Sequence, residues 1–240
     1  MPIVLDKVSP GKATKDCQSV QGVRQSAFCS LYNTHMKNEV GKKPRVTSGS
    51  AKGKKLETPN IPDFRATQDV VKLAVFSILG EKTIGGECLD LFAGAGSFGI
   101  EALSRGAAHC DFVDDSNEAT KTIEKNLVSC GFSQKGRVYR EHAVSFVSNT
   151  LTKYDVVFMD PFFADTAHKF LFKNLPQIVK TGAIVIYTHN PDTAVENLIA
   201  GGPFEVYTQR KFGKTLVSIL SAKEDAQHID HLHPDTHLLD

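Results

Sequence analysis

From Gly85-Gly86 onward the chain alternates short apolar runs of strand length with amphipathic stretches of helical spacing. The apolar runs predict strands at 88–92, 110–114, 137–142, 155–160 and 183–187. Between them the spacing predicts helices at 97–105, 117–129, 143–149 and 164–180, with a further helix at 191–200. Two last strand-like runs, 204–212 and 215–221, meet at Gly213-Lys214, a hairpin signal. Ahead of this region Val70, Val71, Ala74, Val75 and Ile78 recur at helical spacing over 67–79, with Thr67 as the expected N-cap. Regular alternation of strand and helix predicts an α/β, Rossmann-like fold: a mostly parallel sheet with helices on both faces and a terminal antiparallel hairpin.

The flanks follow other rules. Residues 1–43 are polar and aperiodic and read as a disordered extension. Residues 44–64 form a basic arm, in which the run from Arg45 to Leu56 carries glycine turns and Pro59 and Pro62 end it. The domain proper spans 65–223. Residues 224–240 are a tail with four histidines whose spacing fits no closed metal site, so no metal is expected.

Composition narrows the class. A hydrophobic fraction of 41% and a charged fraction of 23% over 240 residues are those of an ordinary globular protein. No apolar run reaches membrane-spanning length, and the start lacks the charged-then-apolar order of a signal peptide. Five cysteines, none in a C-x-x-C pair, read as free thiols in a reducing cytosol. The expected location is the cytoplasm, with an organelle matrix as the alternative if residues 1–43 are a targeting segment. The net charge of +1 hides an asymmetry: residues 1–60 hold 11 Lys or Arg against 4 Asp or Glu, and residues 61–240 hold 17 against 23. A basic arm on a mildly acidic domain points to a polyanionic partner, since clustered cations release counterions from phosphates; a solvated tail without a partner is the competing reading.

The most informative stretch is Leu89-Asp90-Leu91-Phe92-Ala93-Gly94-Ala95-Gly96-Ser97-Phe98-Gly99, a G-x-G-x-x-G loop between strand and helix. Glycines there permit a tight turn and close approach of backbone to a ligand, and Asp114 stands 20 residues after Gly94, where an acid can bond ribose hydroxyls. Alone, this pattern equally suits a dinucleotide-binding dehydrogenase. Asp90 inside the first strand disfavours that reading, because a pyrophosphate gains nothing from a nearby anion. A sulfonium amino acid carries an ammonium that the acid can help hold. The second cue is Asp160-Pro161-Phe162-Phe163 at the end of the fourth predicted strand, where ligands of open α/β sheets bind. A carboxylate and a rigid carbonyl can accept both N–H bonds of a conjugated exocyclic amine, and an aromatic ring can stack on its base. The bland alternative makes Pro161 a strand terminator and the phenylalanines core.

These residues resemble the RsmD-type 16S rRNA (guanine-N2)-methyltransferases, a bacterial family of the class I S-adenosylmethionine-dependent methyltransferase fold. The resemblance runs from about Arg45 to about Ser221. It rests on the basic arm, on Arg65-Ala66-Thr67-Gln68-Asp69, on Asp90 to Gly96 with Leu103 to Ala107, and on Lys211 to Thr215. It implies S-adenosyl-L-methionine as cofactor, held by Arg65, Thr67, Asp90, Phe92, Gly94, Gly96, Asp114 and His142. It places Asp160 and Pro161 at the target amine and Phe163 against the base. Arg45, Lys52, Lys54 and Lys55 would grip phosphates of rRNA in a small ribosomal subunit or assembly intermediate, and a monomer without membrane contact is expected. Three positions depart from the family: Phe162 for a second proline, His142 for an aspartate and Ala66 for a proline. The alternatives left open are a methyltransferase for another amine (adenine N6 or protein glutamine) and an inactive methyltransferase fold serving as an RNA-binding assembly factor.

Overall fold

The computed structural model describes residues 43–62, 64, 67–161 and 168–223. Expectations for the extension, for Arg65, Ala66, Phe162 and Phe163, and for the His-rich tail lie outside the described residues.

One seven-stranded sheet organises the chain in the order β3-β2-β1-β4-β5-β7-β6. Its strands are β1 (Glu87–Leu91), β2 (His109–Asp114), β3 (Gly136–Arg140), β4 (Tyr154–Met159), β5 (Val179–His189), β6 (Phe204–Phe212) and β7 (Thr215–Ala222). The first five are parallel, and β7 runs antiparallel to both β5 and β6. The central strands β1, β2 and β4 are buried almost throughout, as strands covered on both faces must be. α1 (Asp69–Leu79), α2 (Ser97–Ser104) and α3 (Asn117–Cys130) cover one face, whose core includes Phe76, Phe98 and Phe158. The Phe98 and Phe158 rings stack with centroids 5.1 Å apart. α4 (Ala143–Asn149), α5 (His168–Asn174) and α6 (Val195–Ile199) cover the other, around Phe146, Leu171 and Val195. α2 lies unusually close to β2, because a Cβ on Gly99 would sit 2.3 Å from the Phe112 ring and 2.6 Å from Cys110 Sγ.

The arm does not stand free. It closes on itself through one antiparallel bridge, Arg45 to Lys55, and sinks Val46, Ala51 and Leu56 into the core beside α1 and α2. Its tip rests on the end of α2, where Ser50 N–H donates to Ser104 O at 2.8 Å and Ser104 Oγ donates to Ser48 O at 2.6 Å. Gly49 is needed there: it has φ +83°, and a Cβ on it would meet Ser104 O at 1.8 Å. Deeper in, the fully buried Glu101 carboxylate accepts from Thr47 N, Thr47 Oγ1 and Ser48 N, at 2.7, 2.7 and 3.0 Å.

Several boundaries differ from the sequence expectation. α1 starts at Asp69 behind Gln68, and Thr67 makes no cap; its hydroxyl goes elsewhere, as described below. β3 stops at Arg140, so His142 precedes α4 and is not part of the strand. The long helix expected to 180 is α5 only to Asn174, followed by a 3-10 turn at Leu175–Gln177 and then by β5 from Val179. Pro176 offers no N–H to continue the helix. Leu175, Ile178 and Val179 kept up the apolar spacing that disguised the break. Gly182, at φ +71°, masked the early start of β5. α6 is a five-residue remnant of the helix expected at 191–200.

Candidate active site

β1 and β4 are neighbours, yet the chain leaves β1 for β2 on one side while β4 leads to β5 on the other. Such a reversal opens a crevice at the carboxyl ends of the two strands. Leu91 and Met159 are register partners, so the glycine loop after β1 and Asp160-Pro161 after β4 start side by side.

The glycine loop is a sequence of left-handed residues, with φ +56° at Gly94 and +75° at Gly96. Phe92, which has no glycine's freedom, also has φ +59° and is half-buried against the core. Holding a bulky residue there costs on the order of 1–3 kcal/mol, a strain that folds tolerate mainly around functional sites. Phe64 lies over the loop, 2.9 Å from where a Gly94 Cβ would stand. Asp114, at the end of β2, accepts from Gly94 N at 2.8 Å and from Ser116 N at 3.0 Å. Asp90 accepts from Gly99 N at 2.8 Å and is only 1% exposed, so it braces the first turn of α2 from within. The backbone carbonyl of Ala95 accepts from Asn126 Nδ2 at 2.9 Å, and the same amide bonds Glu57 N and O, tying the arm to the loop. Ser97 Oγ is buried at the start of α2 and has no hydrogen-bond partner among the described residues.

Across the crevice, Asp160 is half-buried and Pro161 buried. Asp160 Oδ2 accepts from Thr67 Oγ1 at 2.8 Å, and Oδ1 accepts from Thr188 Oγ1 of β5. Burial pushes the Asp90, Asp114 and Asp160 carboxyls above the usual carboxylate range, while the bonds from Gly99, from Gly94 and Ser116, and from Thr188 and Thr67 pull them back. The charges of Asp160 and Asp114 push Asp90 further up.

His142 lies just ahead of α4: its Nδ1 is 3.3 Å from Asp115 Oδ2, and both side chains are well exposed. Arg45 is engaged within the chain, its Nε 2.8 Å from Asp69 Oδ2, whereas Lys52, Lys54 and Lys55 are exposed. Lys52 sits by the arm's tip, at the far end of α2 from the glycine loop. The exposed Lys211 and Lys214 flank the β6–β7 turn, which lies at the crevice end because Leu216 pairs with His189 at the end of β5. Sequence reading missed Thr188, Asn126, Ser97 and Asp115. Each is a common residue type whose importance comes from what lies next to it in space, and no local pattern marks it.

Strand order and crevice together define the class: the chain has the Rossmann-like, class I fold that methyltransferases share. Residues 44–221 match the family described as conserved hypothetical protein 95, and the chain belongs to that family. It is 33% identical over 180 residues to YlbH of Bacillus subtilis, named as a candidate rRNA methyltransferase, covering 73% of this chain and 97% of that protein. It is 35% identical over 117 residues to ribosomal RNA small subunit methyltransferase D of Escherichia coli, covering 49% of this chain and 59% of that one. A solved Escherichia coli structure, described as a candidate methyltransferase, superposes with a TM-score of 0.66 at 25% identity, over 76% of this chain and 99% of its own. Among the described residues no helix is long and apolar enough to cross a membrane.

Proposed function

We propose that this protein transfers the methyl group of S-adenosyl-L-methionine to the exocyclic N2 of a guanine in small-subunit rRNA. The observation that supports it most is Asp160, held at the end of β4 beside the glycine loop, in a chain of the rRNA methyltransferase type. The residues present fit the cofactor. Asp114 ends β2 where a ribose diol can meet its carboxylate, the left-handed loop at Gly94 and Gly96 gives close approach, and the Ser97 hydroxyl, without a partner among the described residues, offers a donor at the start of α2.

When bound, S-adenosylmethionine supplies an electrophilic methyl on a positively charged sulfur. The chain's part is to aim the amine, because the guanine N2 lone pair is conjugated into its ring. Asp160 accepts one N–H and the Pro161 region the other, which turns the lone pair toward the methyl carbon. Phe163 stacks on the flipped base, and Arg65 closes over the cofactor; both assignments come from the family resemblance. Lys52, Lys54 and Lys55 of the arm and Lys211 and Lys214 of the hairpin bear on phosphates on two sides of the domain. Arg45 serves the fold first, through Asp69. The substrate is a ribosomal subunit or assembly intermediate, and the enzyme works in the compartment where ribosomes assemble.

The test is nucleoside mass spectrometry of small-subunit rRNA from cells with and without the gene, joined to methyl transfer from labelled cofactor in vitro. Loss of one N2-methylguanosine and its restoration by purified protein is expected. N6-methyladenosine as the product, or binding of subunits and cofactor without transfer, would overturn the guanine assignment in favour of another amine or of an assembly scaffold.

A further inference from the structure

The two oxygens of Asp160 have partners of different kinds. Thr188, which holds Oδ1, is 1% exposed and belongs to β5, next to β4 in the sheet. Its backbone position is set on both sides, since Tyr187 pairs with Met159 of β4 and Thr188 itself with Val217 of β7. Thr67, which holds Oδ2, is half-buried and precedes α1 in a segment without regular structure. One partner is locked by strand pairing and the other arrives from a loop.

We propose that Thr188 is a positioning residue that anchors Asp160 through Oδ1, leaving Oδ2 for the substrate's amino group, with Thr67 holding that place until the amine arrives. The inference rests on the reading of Asp160 as the acceptor of the target amine. It adds the residue that orients it and the oxygen that does the work.

The chemistry favours an anchor over a buried threonine that merely satisfies itself. The Thr188 hydroxyl has one proton and a second acceptor in reach, the Met159 carbonyl at 3.3 Å. That carbonyl alone would satisfy it, yet the hydroxyl is directed at Asp160 as well. The pair also serves both protonation states. With Asp160 ionised, Thr188 donates to Oδ1. With a proton on Oδ1, Thr188 accepts from it and donates to Met159 O instead. No ion pair among the described residues neutralises Asp160; the ionisable neighbour whose titration it influences is Asp90 on β1. Hydroxyl bonds from Thr188 and Thr67 are what oppose the upward push of burial on this carboxyl. An amine N–H can replace Thr67 at Oδ2 without disturbing Oδ1, so the carboxylate plane is already set when the base enters.

The experiment compares wild type with Thr188→Val, nearly isosteric but without the hydroxyl, and with Thr188→Ser, which restores the hydroxyl alone. Thr188→Val should lower kcat about tenfold, as expected for loss of one hydrogen bond to a charged group, with KM for rRNA and cofactor affinity unchanged. Thr188→Ser should recover most of that loss. In the protein without substrate, a carbon-13 titration of the Asp160 carboxyl should move upward in Thr188→Val, by roughly half to one pH unit, and return in Thr188→Ser. A wild-type kcat and an unmoved titration in Thr188→Val would overturn the proposal. So would a Thr188→Ser protein as slow as the valine variant, which would assign the effect to the packing of the methyl group. The titration needs no turnover. If the wild type transfers no methyl group, the proposed function fails, while the anchoring of Asp160 still stands or falls on the carboxyl shift.

Discussion

Replacing Glu101 with alanine should release the arm from the domain. Glu101 is fully buried on α2 and gathers three donors from the arm, Thr47 N, Thr47 Oγ1 and Ser48 N. It also accepts from Arg105 Nε at 2.8 Å and lies 4.0 Å from the ammonium of Lys72, itself 0% exposed. Burial pushes the Lys72 ammonium below its usual range, and the charges of Asp69 and Glu101 oppose that push. In Glu101→Ala two backbone amides lose their acceptor, at a cost of about 1–3 kcal/mol each when water cannot replace it. Lys72 keeps Asp69 at 3.3 Å but loses its second anion. Breaking a buried pair by removing one partner costs about 3–5 kcal/mol in general. Thr47 and Ser48 are half-buried, so water recovers part of the amide loss, and the terms overlap. The net expectation is about 3–5 kcal/mol, with about 1–3 kcal/mol for Glu101→Gln, which keeps one acceptor oxygen and loses the charge and the other acceptor. Urea unfolding at fixed pH gives the stability, and limited proteolysis gives the state of the arm, with new cleavage expected between residues 43 and 57. A loss under about 1 kcal/mol with the arm still protected would refute the claim that this carboxylate seats it.

Asp90 offers a test of sign. Its carboxyl is raised in the folded state, so the folded chain holds this proton to higher pH than the unfolded chain, and its contribution to stability falls as pH rises from the ordinary carboxylate range. Asp90→Asn removes that fall while keeping an acceptor for Gly99 N. Its stability relative to wild type should climb with pH from about 4 upward, by at most about 1.4 kcal/mol per pH unit, and a flat difference would be the contrary result. Gly99→Ala should cost about 1–3 kcal/mol through overpacking against Phe112 and Cys110; an unchanged melting temperature would show that α2 has room to move. Asp114→Ala should weaken S-adenosylmethionine binding by about 1–3 kcal/mol in calorimetry, the cost of leaving paired donors without their acceptor. Affinity equal to wild type would remove the ribose role.

What the sequence determined by itself was the periodic part of the molecule. Strand–helix alternation, the glycine loop and the closing hairpin depend on local rules: which residues fit a pleated strand buried on both faces, which tolerate positive φ, where a turn must fall. These rules act over a few residues, so β2, α4 and the β6–β7 hairpin could be placed to within a residue or two. They failed where local pattern and backbone chemistry diverge, at Pro176 and Gly182, because apolar spacing continued through a break that only the missing N–H and the turn reveal. The tertiary structure decided the rest. Thr67, read as a cap from its place before a helix, bonds Asp160 from 93 residues away. Glu101, one more polar residue on a helix, seats the arm across 54 residues, and Asn126 joins arm to loop across 69. Arg45 reads as one more cation for phosphate, yet it pairs with Asp69 across 24 residues. Such contacts leave no period and no motif. The energy that selects them comes from burying polar groups that must then find partners, and those partners are known only once the chain has folded.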